Sequence, residues 1–270
     1  MKLKLILHSE HFYRRNSAVS RAKNRKWGGR KARRNSIPDL SSNETIELPF
    51  LRWFNSQQEL RHYCCSLCPH VSVSKRAYHL KNFVIKSKNN IQVVAGTNYL
   101  NDEKSSIHNV KNIIVHENYS PSDSWKNDIA LLEVVEPFSE TKLISFINLP
   151  TSHDVINAND RAVISGWGRL WQNGATTKKL QRAQIYIADQ TYCRNMYSKM
   201  NYNIHDSHIC AYDPESPRGS CHDDSGGPLT VNGKLVGLVS WAKACALTDY
   251  PTVYTRVSEF KNWIRTHTEA

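Results

Sequence analysis

The strongest chemical signal in the chain is Gly219-Ser220-Cys221-His222-Asp223-Asp224-Ser225-Gly226-Gly227-Pro228-Leu229. Ser225 stands between an acidic pair and a Gly-Gly-Pro turn. Small residues let a carbonyl group approach a hydroxyl and its neighbouring backbone N–H groups, which suits nucleophilic catalysis; a surface turn has the same composition. Serine is a weak nucleophile at its free pKa, so it needs a histidine base that a carboxylate orients. Asn127-Asp128-Ile129-Ala130-Leu131-Leu132 offers that carboxylate at the mouth of an apolar run. An aspartate there is costly to bury unpaired. It either lies at the surface where a strand starts or is held by hydrogen bonds to a partner such as an imidazole.

The elements that must carry these residues are short and β-rich: Phe83–Ile85, Ile91–Ala95, Asn112–His116, Ile129–Val135, Arg161–Ile164, Gln184–Ala188, Leu235–Trp241 and Thr252–Val257. Clusters of Asn, Ser, Asp, Gly and Pro separate them, which argues an all-β barrel or sandwich. The one good helical pattern is terminal. Ser258 is placed to cap a turn from which Phe260, Trp263 and Ile264 project as an apolar stripe. Residues 36–70 show no clear period, and no internal repeat or low-complexity segment is evident.

Composition bounds the partners. At 270 residues, 40% hydrophobic and 22% charged, the chain is a folded globular protein and not a disordered or collagen-like one. No apolar run approaches the roughly 20 residues of a membrane-spanning helix. The formal charge of +12 is local: residues 1–35 hold twelve Lys and Arg against Glu10, whereas the rest carries 24 basic and 23 acidic residues. That pattern predicts a solvated basic extension and not a nucleic-acid-binding surface on the folded part. Leu3, Leu5, Ile6 and Leu7, broken by Lys4, fall short of an export signal, while seven cysteines argue for an oxidising compartment.

The chain resembles the trypsin/chymotrypsin family of serine endopeptidases, in its chymotrypsin/elastase-like branch. Asn127–Leu132, Ser165-Gly166-Trp167-Gly168, Asp224–Leu229, Val239-Ser240-Trp241 and Pro251–Val257 carry the resemblance, which runs from about residue 77 to the C-terminus. It implies two perpendicular six-stranded antiparallel β-barrels with the site in the cleft between them, and a short C-terminal helix. Ser225 then resembles the nucleophile and Asp128 the orienting carboxylate. Ala77-Tyr78-His79-Leu80 occupies the register of the motif that ends in the base, so His79 takes that role. His62, His70 and His116 fit the register less well. Cys193 with Cys210, and Cys221 with Cys245, resemble two family disulfides; Leu80 stands where Cys64 would find its partner, leaving Cys64, Cys65 and Cys68 unassigned.

Several positions depart from the family pattern. Asp223 replaces the glycine whose N–H, with that of Ser225, forms the oxyanion hole. Arg25-Lys26-Trp27-Gly28-Gly29 stands where activation cleavage would release a new amino terminus, at Lys26, to pair with Asp224. Gly219 replaces the acid that selects Lys or Arg, and Ala242 and Thr252 stand where open pockets carry glycine. With Ser240 and Trp241, these residues form a pocket for a small or medium apolar side chain. The expectation is a secreted, monomeric serine peptidase domain over residues 26–270 after a basic extension at 1–25. It would cleave proteins or peptides, meet protein inhibitors, and need no cofactor, metal, nucleic acid or membrane. The rival is a catalytically impaired homologue that binds a protein partner through the same cleft. Sequons at Asn43 and Asn118 permit glycosylation on export.

Overall fold

The computed structural model describes residues 91–268, apart from 101 and 104, and the backbone of two further strands at 3–6 and 52–54. His79, Lys26, Cys64, Cys65, Cys68 and the run Phe83–Ile85 lie outside the described residues. The chain is mostly strand. In order come β1 (Leu3–Ile6), β2 (Arg52–Phe54), β3 (Gln92–Ala95), β4 (Ser106–Val115), β5 (Ala130–Val134), β6 (Arg161–Gly166) and β7 (Gln181–Ile187). Helix α1 (Gln190–Ser198), then β8 (His208–Tyr212), β9 (Pro228–Val231), β10 (Lys234–Trp241), β11 (Thr252–Arg256) and helix α2 (Lys261–Thr268) complete it.

The second half is a closed six-stranded barrel, β10-β11-β8-β7-β6-β9, whose described pairings are antiparallel. The first half is a five-stranded sheet ordered β1-β5-β4-β3-β2 among the described residues. Thus one barrel closes as the resemblance implies, and the other is represented by this sheet. Leu3–Ile6, within the basic segment, pairs along β5 from Leu3 opposite Glu133 to Ile6 opposite Ala130.

Each half has its own core. Ile164, Ile185, Ile209, Leu229 and Tyr254 fill the barrel, and Val93, Val110, Leu132 and Val134 fill the first sheet. A third cluster sets Ile129 and Leu131 of the first half against Leu235, Leu238, Phe260 and Ile264 of the second. Consecutive side chains therefore enter two cores, which is why Ile129–Leu132 is continuously apolar instead of alternating. Asp128 stands two residues before β5 and is carried to the seam between the halves.

The terminal helix forms, with a different start. Val257–Phe260 make a 3₁₀ turn before α2, so Ser258 lies inside that turn and does not cap a helix. Phe260 and Ile264 are buried as expected, and Trp263 is partly covered. Four strands and a helix escaped the sequence reading: β1, β2, β8, β9 and α1. Asp189 caps α1 by accepting a hydrogen bond from the Tyr192 N–H at 2.7 Å. No helix of the described residues is long and apolar enough to cross a membrane.

Candidate active site

Asp128 is completely buried. Its Oδ2 accepts a hydrogen bond from Ser240 Oγ at 2.6 Å, and its main-chain carbonyl accepts one from Thr255 Oγ1 at 2.7 Å. Ser240 and Thr255, on β10 and β11, are equally inaccessible. The carboxylate therefore belongs to the first half by sequence and is held by the second. Of the two readings open in sequence, the surface strand-start is excluded.

The approach to Asp128 is tightly shaped. Ser124, Trp125 and Asn127 all have left-handed φ, at +54°, +54° and +57°. A loop bent this way by residues other than glycine needs outside support. Asn203 supplies part of it: its backbone N–H donates to Ser124 Oγ at 2.8 Å and its side-chain amide to Asp123 Oδ1 at 3.0 Å. Two histidines supply the rest. His205 Nε2 lies 3.1 Å from Asp123 Oδ1, and His208 Nε2 donates to the Trp125 carbonyl at 3.3 Å. The Nδ1 of His208 accepts from the His205 backbone N–H at 3.2 Å, so this ring works as the neutral Nε2–H tautomer. Burial pushes its pKa down to about 4.

The Ser225 loop is pinned through Asp224 and Gly226. Asp224 is buried; its Oδ1 accepts from Gly168 N–H at 3.0 Å and its Oδ2 from Cys221 N–H at 2.9 Å. Gly168 has to lack a side chain, because a Cβ there would sit 2.5 Å from Asp224 Cγ and 2.6 Å from the His222 carbonyl oxygen. After the half-buried Ser225, Gly226 takes φ +79° and donates its N–H to the Val239 carbonyl at 2.9 Å. Val239 and Ser240 are consecutive on β10. The Ser225 loop is tied to the first and the Asp128 carboxylate to the second, so one strand positions both.

Asp223 adopts φ +71°. That is the left-handed conformation which glycine takes freely and which costs other L-residues roughly 1–2 kcal/mol, with Asp among the more tolerant. Its Oδ2 lies 3.5 Å from Arg169 Nε.

Of the residues expected to line a pocket, Trp241 ends β10, Thr252 opens β11, and Gly219 and Ala242 lie outside the strands. Gly219, Trp241 and Thr252 are buried and Ala242 is half-buried. Ala246 closes on Gly219, so that a Cβ on Gly219 would come 3.0 Å from its Cα. The Cys221–Cys245 disulfide ties the segment carrying Ala246 to the Ser225 loop, and Cys193–Cys210 ties α1 to β8. Across the 24-residue separation of the first, the constraint on the unfolded chain contributes about 3 kcal/mol. The Trp241 ring meets those of Trp125, Tyr202 and Tyr197 at centroid distances of 5.5, 5.4 and 4.7 Å.

The sequence reading named Ser240 only as a pocket residue and missed Asp123, His205, His208, Asn203 and Arg169. The partners of Asp123 lie some 80 residues away along the chain, beyond any spacing rule.

Comparison with known proteins agrees with this geometry. A family profile described as Trypsin matches residues 77–264. Chymotrypsin-2 of Vespa crabro is 37% identical over 209 residues, covering 76% of this chain and 88% of that protein. A trypsin of Phaedon cochleariae is 31% identical over 244 residues, covering 87% and 93%. Fibrinolytic enzyme, isozyme C, of Lumbricus rubellus is 37% identical over 186 residues, covering 65% and 77%.

Proposed function

The chain belongs to the trypsin family of serine proteases, and from that premise we propose that it is a secreted serine endopeptidase acting through an acyl-enzyme. Ser225 attacks the scissile carbonyl, His79 takes the serine proton and returns it to the leaving amine, and Asp128 holds the imidazole's tautomer. The N–H groups of Asp223 and Ser225 face the oxyanion. A new amino terminus at Lys26 pairs with Asp224. The observation that carries this reading is the anchoring of the Ser225 loop and the Asp128 carboxylate to consecutive residues of β10.

Gly219, crowded by Ala246, together with Ala242 and Thr252, favours a small or medium apolar residue before the scissile bond. The substrates are proteins or peptides, the natural antagonists are protein inhibitors, and the enzyme acts as a monomer. One observation favours the rival, a catalytically impaired protein-binding homologue: Asp223 brings a carboxylate and a strained φ to the oxyanion side.

The test is labelling and turnover. The purified full chain, before and after cleavage following Arg25, is treated with a fluorophosphonate and with peptide substrates ending in Ala, Val, Phe or Arg. Labelling abolished by Ser225→Ala, with Ala and Val substrates preferred, is the expected result. An unlabelled, cleaved and folded chain would establish the rival.

A further inference from the structure

The geometry points to Arg169 as a positioning residue that makes an acid at position 223 compatible with catalysis, an inference that rests on the endopeptidase reading. Asp223 combines a left-handed φ of +71° with a negatively charged side chain two residues before Ser225. Its N–H can serve a developing oxyanion only if the carboxylate is kept away from the same place and its charge is offset.

Arg169 is built into the loop that needs this service. Its backbone N–H donates to the His222 carbonyl at 2.9 Å, and the preceding residue, Gly168, donates to Asp224 Oδ1 at 3.0 Å. The two residues flanking Asp223 are therefore each bonded to consecutive residues of one strand-end segment. The Arg169 side chain spans the remaining gap, placing Nε 3.5 Å from Asp223 Oδ2. Both side chains are mostly shielded, at 28% and 21% exposure, so water screens the pair less than it screens a surface ion pair. Nε is buried and makes no hydrogen bond among the described residues, which leaves the Asp223 carboxylate as the charge it faces.

Arg169 thus acts on the reaction through Asp223. It holds the carboxylate at the guanidinium and offsets a charge that would oppose the tetrahedral intermediate. A loop with glycine at 223 would have no use for it, and that difference makes the role measurable.

The experiment is a double-mutant cycle on the full chain cleaved after Arg25, comparing parent, Arg169→Ala, Arg169→Lys, Asp223→Gly and the Asp223→Gly/Arg169→Ala pair. The readouts are kcat, KM and the rate of Ser225 phosphonylation. Arg169→Ala is expected to lower kcat by about tenfold with KM nearly unchanged, a fraction of the roughly 10²–10³ lost with a whole oxyanion donor. Arg169→Lys should restore most of it. In the Asp223→Gly background the alanine change should move kcat less than twofold. An equal loss in both backgrounds would make Arg169 merely structural and overturn the proposal, as would no loss in the parent or an effect confined to KM. If no variant, Asp223→Gly included, reacts with the phosphonate, the endopeptidase reading falls and this inference with it.

Discussion

Ser240→Ala isolates the bond that seats the Asp128 carboxylate. The Ser240 Oγ to Asp128 Oδ2 distance is 2.6 Å and both residues are fully buried. A hydrogen bond to a charged group is worth about 1.5–3 kcal/mol, and the methyl group of alanine offers the carboxylate nothing in return. The variant is therefore expected to unfold about 2 kcal/mol more easily near pH 7. The carboxylate also has to support a developing imidazolium, and kcat should fall by about tenfold if half to all of the lost interaction is felt in the transition state. Urea unfolding at pH 7 gives the first quantity, and peptide turnover gives the second. A shift below about 0.5 kcal/mol with unchanged turnover would refute the reasoning, because Asp128 would then be seated by its other contacts.

His208 makes stability pH-dependent. Its folded pKa, about 4, lies below the unfolded value of 6.5, so its contribution is complete above pH 6.5 and is lost as the pH falls through that window, by up to about 3 kcal/mol. Unfolding midpoints at pH 7 and pH 4.5 check this, and His208→Gln should flatten the slope; an equal slope in the variant would remove His208 as the cause. Gly168→Ala should cost about 3 kcal/mol and most of the turnover, because the added carbon meets the Asp224 carboxyl and the His222 carbonyl together. Parental stability and activity in that variant would mean that the loop can yield there.

The residues that announce chemistry were legible because their chemistry is local. Asp224–Leu229 and Asn127–Leu132 each carry an acid beside small or apolar neighbours, and a short window contains them. The strands with long β-branched runs, such as β10 and β11, were equally visible. Strand β9 was not, although Asn232 and Gly233, at φ +49° and +72°, close a two-residue turn between β9 and β10 that their identities announce. Pro228 and Gly227 at its start read as loop. Helix α1 was missed because its apolar period is weak and only Cys193 and Tyr197 are buried. The supports of the Asp128 loop were illegible for another reason. Asp123, Asn203, His205 and His208 are ordinary polar residues whose meaning comes only from a distant packing partner, and the chain has 12 histidines to choose among. Arg169 is the same case: Gly168 beside it is explained by a motif, while its own side chain is explained only by Asp223 across the loop.

The seating of Asp128 also imposes an order in time. Two of its partners, Ser240 and Thr255, follow it by 112 and 127 residues. A ribosome releases the amino-terminal half first, so the carboxylate leaves the tunnel long before the hydroxyls that will receive it. The first sheet can form its strands during that interval, but the seam against β10 and β11 cannot close until nearly the whole polypeptide has been made. A nascent chain, or one cut short before residue 240, lacks both donors and cannot hold the aspartate in the place the finished molecule gives it. The seat of the carboxylate is thus completed only with the last strands of the protein.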